Sequence, residues 1–335
     1  MDQKIRVGVF GASGYAGLDL IEILARHPQV EVMYATSNTF AGEAVQHLEM
    51  RYLEHERAGF ENVEVVFLAL PHTASAIVAK RALDAGVKVI DLSADFRLDS
   101  AEAYEKWYGH EHPCPELLAD APYGLVEVNR EQLKGVDLIA VPGCYPTTSL
   151  LGLYPLAKDD LIAAGQPIVI DAKSGVSGAG RSPKLNSLFV EVYGNFSPYN
   201  AGRSHRHLGE MEQELKKWQA DAGEIVFTPH LLPVDRGLMT SIYVHLNQGL
   251  AAADVQALYE ETYAGEALVK VLPAGRYASL NDVVRTNRCV MSVNPVYDQF
   301  IHITSVTDNL RKGASGQAVQ NFNLMYGLEE TTALL

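Results

Sequence analysis

The chain has 335 residues, too many for one compact core, and its composition of 47% hydrophobic and 20% charged residues excludes wholesale disorder. A net charge of −14 argues against nucleic acid or an anionic membrane surface as the main partner. Three cysteines, Cys114, Cys144 and Cys289, match neither a disulfide framework nor a zinc knuckle, so no metal is expected.

Residues 1–6 carry no charged-then-apolar leader, and no uncharged apolar run is long enough to span a bilayer; a cytoplasmic protein is expected. Ile5 to Phe10 is predicted as a strand, and residues 18–26 as an amphipathic helix. Between them Gly11, Ser13, Gly14, Tyr15 and Gly17 belong to a turn spaced G-x-x-G-x-x-G, a relative of the dinucleotide fingerprint. It lets backbone N–H groups approach a pyrophosphate at the helix start. The next strand, Val30 to Ala35, ends in Thr36-Ser37-Asn38. An NAD site normally has an acidic residue here, so Ser37 and Asn38 favour NADP, with a plain loop turn as the alternative.

Strands are predicted at 64–70, 87–92 and 136–141, with a helix at 74–85, which makes the first part a Rossmann-like βαβαβ unit with a parallel sheet. His72 follows a strand end and reads either as a neighbour of the nicotinamide or as a loop residue. His110-Glu111-His112-Pro113-Cys114 lacks a second ligand pair and reads as a solvated loop.

Cys144 follows the last of these strands across Pro142-Gly143 and precedes a helical pattern at 145–157. A cysteine at a helix N-terminus meets unpaired N–H groups and the positive end of the dipole, which favour the thiolate, a nucleophile at neutral pH. Beyond it the pattern changes to extended runs at 167–172, 224–234, 240–247, 289–294 and 299–306, a second, α+β domain. The segment 173–181, rich in small residues and hydroxyls, reads as a loop that either brings Arg181 and N–H groups to an anion or lies free on the surface. Ser204-His205-Arg206-His207 precedes a helix predicted at 211–218. It gathers two imidazoles and a guanidinium, suited to an anionic substrate and a proton transfer, or else to a solvated face. A helix at 316–324 after the turn 312–316 suggests a return to the first domain, giving a cofactor domain of 1–144 completed by 309–335 and a catalytic and oligomerisation domain of 145–308.

Gly-Ala-Ser-Gly-Tyr-Ala-Gly at 11, Asp-Leu-Ser-Ala-Asp-Phe-Arg-Leu at 91, Tyr-Gly-Leu at 123, Pro-Gly-Cys-Tyr-Pro-Thr at 142, Ser-Gly-Val-Ser-Gly-Ala-Gly-Arg at 174, His-Arg-His at 205, Pro-His-Leu-Leu-Pro-Val at 229 and the run from Asp308 to Asn321 together resemble the N-acetyl-γ-glutamyl-phosphate reductases of arginine biosynthesis, relatives of aspartate semialdehyde dehydrogenase. The resemblance spans nearly the whole chain. It implies a Rossmann-like domain joined to an α+β domain of the glyceraldehyde-phosphate and aspartate-semialdehyde dehydrogenase type, NADP as cofactor, and an acyl phosphate reduced to a semialdehyde with release of inorganic phosphate. It further implies Cys144 as nucleophile, His205 and His207 as acid/base groups, Arg206, Arg181 and Ser177 on the substrate, Ser174, Gly175, Asn309 and Gly313 beside the cofactor, and a homo-oligomer, dimer or tetramer. Val126, Val141 and Gly209 depart from the pattern without removing a reacting group. The rival readings are a reductase of aspartyl phosphate or of a carrier-linked acyl phosphate, and a non-catalytic NADP-binding sensor. Leu238, where aspartate semialdehyde dehydrogenases carry a histidine, weighs against aspartyl phosphate.

Overall fold

A computed structural model describes residues 4–335; Met1–Gln3, part of the stretch read as lacking a leader, lie outside the described residues. The chain forms two compact units, one running to Gly143 and taking in Ala314–Leu335, the other Cys144–Gly313.

The first unit contains β1 (Ile5–Phe10), α1 (Tyr15–Ala25), β2 (Val30–Ala35), β3 (Val65–Leu68), α2 (Ala74–Asp84), β4 (Lys88–Asp91), α3 (Ala101–Tyr108), α4 (Val126–Asn129) and β5 (Leu138–Ala140), and it closes with the C-terminal helix Gly316–Met325. Its five strands are all parallel, in the order β2-β1-β3-β4-β5, the Rossmann-like arrangement expected. Sheets of this kind are covered on both faces, and β3 and β5 are buried throughout. The stretch 110–114 is not the solvated loop expected. His112 and Cys114 are buried, and the imidazole bridges the Asp95 carbonyl (Nε2, 2.8 Å) and the Cys114 N–H (Nδ1, 3.0 Å), two backbone groups that burial obliges to find partners.

The second unit contains α5 (Cys144–Ala157), β6 (Ile168–Gly175), α6 (Phe189–Val192), β7 (Ser197–Pro198), α7 (His207–Trp218), β8 (Ile225–Leu232), β9 (Leu238–His245), α8 (Ala252–Thr262), β10 (Val269–Val271), β11 (Cys289–Tyr297) and β12 (Phe300–Thr307). The strands form one mixed sheet, β10-β11-β12-β9-β6-β8-β7. Strict alternation of burial along β9 marks a sheet with one packed face, and α5 lies on that face against β9 and β12. Close approach is possible because Gly152 faces the sheet: a Cβ there would come within 2.7 Å of Ile242.

Pro155 lies inside α5 and cannot bond the Leu151 carbonyl one turn earlier. The Tyr263 hydroxyl donates to that carbonyl instead, and Tyr259 donates to the Gly152 carbonyl at 2.7 Å. Two buried phenols thus keep the helix that begins with Cys144 intact through its proline.

Three boundaries correct the sequence reading. Lys173, Ser174 and Gly175 continue β6, paired in register with His230, Leu231 and Leu232 of β8, so the loop begins only after them. The helix α7 starts at His207, four residues earlier than predicted. Residues Arg311–Ser315 are a wide helical turn leading into the C-terminal helix, not a simple glycine-rich turn.

Candidate active site

Cys144 is half-buried and is the first residue of α5. Thr148 fastens this helix start from one turn away: its hydroxyl donates to the Cys144 carbonyl at 2.8 Å and lies 2.7 Å from the Thr307 hydroxyl of β12. Gly313 faces the cysteine so closely that a Cβ would stand 2.9 Å from the Cys144 Cβ, which leaves room for glycine alone. The turn that presents it is tied down by buried Asp308, whose carbonyl accepts from the Gly313 N–H and whose carboxylate accepts from the N–H groups of Leu310, Arg311 and Arg285.

The residue after Cys144 gathers the rest of the candidate site. The Tyr145 ring is nearly fully buried and meets His205, His207 and Phe227 edge-on at centroid distances of 5.5, 6.1 and 5.2 Å. Its hydroxyl lies 3.0 Å from that of Tyr199 and also bonds Ser174. Burial pushes the Tyr145 phenol up, reinforced by Tyr199, and burial pushes the Tyr199 phenol up to about 12. Both are therefore neutral O–H groups at physiological pH.

His205 and His207 pack edge to face at 4.9 Å. Burial first, and then the charge of Arg206, pulls His205 down to about 4, so it is neutral near pH 7. The His207 N–H donates to His205 Nδ1 at 3.2 Å, which leaves the ring proton on Nε2 and makes neutral His205 a hydrogen-bond donor.

Of the other residues singled out in the sequence, Ser174 is buried at the end of β6, and Gly175 lies so close to the Asp235 and Arg236 backbone that a Cβ would meet it at 2.9 Å. Asn309 joins two loops, accepting from the Gly237 N–H at 2.8 Å and donating to the Ser177 hydroxyl at 2.9 Å. Arg181 and Arg206 are exposed, Arg206 as the residue that precedes α7. Tyr145 was read only as a helix residue and Tyr199 was not singled out at all. The second lies in an irregular, glycine-rich stretch with no periodicity to mark it.

In the first unit the glycine turn has the shape that a dinucleotide phosphate needs. Gly11 takes φ +74°, and a Cβ on it would stand 2.3 Å from the Ala69 carbonyl; one on Gly17 would stand 2.4 Å from the Gly11 carbonyl. These two glycines are demanded by packing. Gly14 is different: its nearest neighbour would be 3.6 Å away, and it stands just before α1, whose first turn carries no acidic residue and no side-chain cap. Open space above uncapped N–H groups fits a pyrophosphate. Tyr15 is exposed at the same helix start.

Ser13 and Ser37 place their hydroxyls 2.7 Å apart. Ser37 is buried and also accepts from the Phe40 N–H, while Asn38 accepts from the His55 N–H, so both hold the loop as well as line it. His72 stacks on His110 at 5.5 Å. Arg97, missed in the sequence, donates to the Val141 and Leu92 carbonyls at 2.8 Å each, which fixes the chain just past the end of β5.

Two families match the chain in succession: "Semialdehyde dehydrogenase, NAD binding domain" over residues 6–136 and "Semialdehyde dehydrogenase, dimerisation domain" over residues 144–309. The second indicates a homo-oligomer. The N-acetyl-gamma-glutamyl-phosphate reductase of Moorella thermoacetica is 44% identical, with 98% of each chain covered, and that of Magnetococcus marinus is 45% identical, covering all of this chain and 98% of its own. Among solved structures, aspartate semialdehyde dehydrogenase II from Vibrio cholerae shares the fold, with a TM-score of 0.76 at 22% identity over 96% of this chain and 98% of its own. No helix among the described residues is long and apolar enough to cross a membrane. Near-complete coverage at this level of identity, on the same two-part fold, means that the chain belongs to the N-acetyl-gamma-glutamyl-phosphate reductase family.

Proposed function

We propose that the protein reduces N-acetyl-γ-glutamyl phosphate to N-acetylglutamate 5-semialdehyde and inorganic phosphate, an NADPH-dependent step of arginine biosynthesis, as a cytoplasmic homo-oligomer acting on a free small molecule. The observation that carries this reading is Cys144 opening α5 against Gly313, with Tyr145, Tyr199 and the His205–His207 pair gathered behind it.

The Cys144 thiolate attacks the acyl carbon, the bond to the phosphate oxygen breaks, phosphate leaves and a thioester remains. NADPH, when bound, supplies the hydride that reduces this thioester. An imidazole of the His205–His207 pair donates a proton to the resulting oxyanion and recovers it as the C–S bond breaks, which releases the aldehyde and regenerates the thiolate. The neutral phenols of Tyr145 and Tyr199 offer the sulfur side of the site O–H dipoles without adding negative charge beside it. Gly11, Gly14 and Gly17, with Ser13 and Tyr15, would hold the pyrophosphate, Ser37 and Asn38 the adenosine ribose with its 2′-phosphate, and Ser174, Gly175, Asn309 and Gly313 the nicotinamide side. Arg206, Arg181 and Ser177 would take the acyl phosphate.

The reading is tested in the reverse direction with N-acetylglutamate semialdehyde, inorganic phosphate and NADP⁺, following NADPH absorbance. Turnover should exceed that with aspartate semialdehyde by about 100-fold or more in kcat/KM, since a site that hydrogen-bonds the acetamido group would leave polar groups unpaired with the smaller substrate. Equal rates, or none, would overturn it.

The cofactor assignment has its own test in Ser37→Asp. A carboxylate beside the 2′-phosphate should weaken NADPH binding at least about tenfold while leaving NADH much less affected. Fluorescence titrations that shift equally for both cofactors would show that this loop does not meet the ribose.

A further inference from the structure

The connection from β2 to β3, residues 36–64, is long and irregular, with a short helical turn at His55–Arg57. Connections of this length inside a compact unit usually have a task of their own. Part of this one runs back along β2, the edge strand of the sheet. Leu53 lies beside Thr36, its N–H donating to the Ala35 carbonyl at 3.0 Å and its carbonyl accepting from the Ser37 N–H at 2.8 Å. Two residues later this return delivers His55 to the underside of the glycine turn.

The half-buried His55 ring stacks on Phe10, the last residue of β1, at 6.3 Å between centroids. Its Nδ1 lies 2.7 Å from the Thr36 hydroxyl, and that hydroxyl accepts from the Gly11 N–H at 3.3 Å, while the Thr36 carbonyl takes the Ala12 N–H at 3.0 Å. Thr36 is fully buried, and among the described residues His55 Nδ1 is the acceptor within reach of its proton. The Thr36 O–H therefore donates to the ring, whose own proton sits on Nε2. Burial holds the imidazole below its ordinary range, against the opposing charge of Glu56, so near pH 7 the ring is neutral and Nδ1 is free to accept. The His55 N–H meanwhile donates to Asn38 Oδ1 at 2.8 Å. One residue thus braces the start of the glycine turn through its side chain and the loop after β2 through its backbone.

We infer that His55 is a positioning residue for the cofactor: by accepting from Thr36 it fixes the hydroxyl that holds the Gly11 N–H, and with it the turn on which the pyrophosphate lies. The inference rests on the reading of residues 11–17 as the dinucleotide turn. NADPH binding to the unaltered protein tests that reading by itself, and the variants below test the part played by His55.

The test titrates NADPH and NADH, by fluorescence, into the full chain carrying His55→Leu or His55→Asn. Leucine removes the acceptor and leaves the buried Thr36 proton without a partner, so both cofactors should bind about tenfold more weakly, equally because the pyrophosphate is common to them. Turnover at saturating NADPH should stay within about twofold, which puts the effect in KM and not in kcat. Asparagine offers Oδ1 in place of Nδ1 and should restore affinity to within about threefold of the unaltered protein. Thr36→Val, which deletes the hydroxyl itself, should match His55→Leu, and the two together should be no weaker than either alone. Unchanged affinity in His55→Leu, a loss confined to NADPH, an asparagine variant as weak as the leucine one, or additive losses in the double variant would each overturn the proposal. Should His55→Leu not fold, Thr36→Val carries the measurement, and undiminished binding of both cofactors there would overturn it equally.

Discussion

Replacing Cys144 with serine is expected to abolish turnover, by about 10⁴-fold or more, while NADPH binding is retained. The size of the effect follows from the chemistry: a serine hydroxyl at neutral pH has neither the ionisation nor the polarisability of a thiolate. The selectivity of the effect follows from the fold. The contacts that fix this position use the Cys144 carbonyl, held by Thr148, and its Cβ, faced by Gly313, and serine preserves both. The glycine turn read as the pyrophosphate site lies far away in sequence and keeps its own packing against the Ala69 carbonyl. Alkylation by iodoacetamide against pH supplies the second half of the test. A thiol at a helix start should titrate well below the free value of about 8.5, and a curve centred at or above that value would remove the helix-start argument.

The first unit was readable because its signals are local. Each strand of the βαβ pattern is a short apolar run closed by a turn, and Gly11 and Gly17 stand where backbone packing admits nothing larger, so composition and geometry agree. The second unit was read less well wherever pairing overrides composition. Lys173-Ser174-Gly175 looks like a loop, yet β8 on one side and β9 on the other draw Ser174 into the sheet. At α7 the periodic signal was present and missed: Leu208, Met211 and Leu215 are all buried at helical spacing, and starting the helix at Leu208 rather than Met211 would have placed His207 directly at the helix start. Tyr199 had no such signal. Its role comes from a two-residue strand on the sheet edge and one hydrogen bond to a residue 54 positions away, and no property of the stretch around it anticipates either.

The two histidines should separate in kinetics. Burial and Arg206 hold His205 near 4, so at neutral pH it has no second proton to give and acts as a fixed Nε2–H donor. We propose His207, in the first turn of α7, as the group that moves the proton. His207→Asn is expected to slow single-turnover hydride transfer by about 10² to 10⁴ with little change in KM. His205→Asn should cost about 10² to 10³, the loss of one preorganised donor, and leave the kcat/KM profile around neutral pH unchanged. The sign is fixed by the depressed value: His205 gains charge only as pH falls toward 4, below the range in which its loss could reshape the curve. Arg206→Ala should raise KM for inorganic phosphate and, by deleting the nearby positive charge, let His205 rise back toward 6.5. Full activity in both histidine variants would refute the assignment and turn attention to His230, whose Nδ1 bonds the Ala172 carbonyl at 3.1 Å.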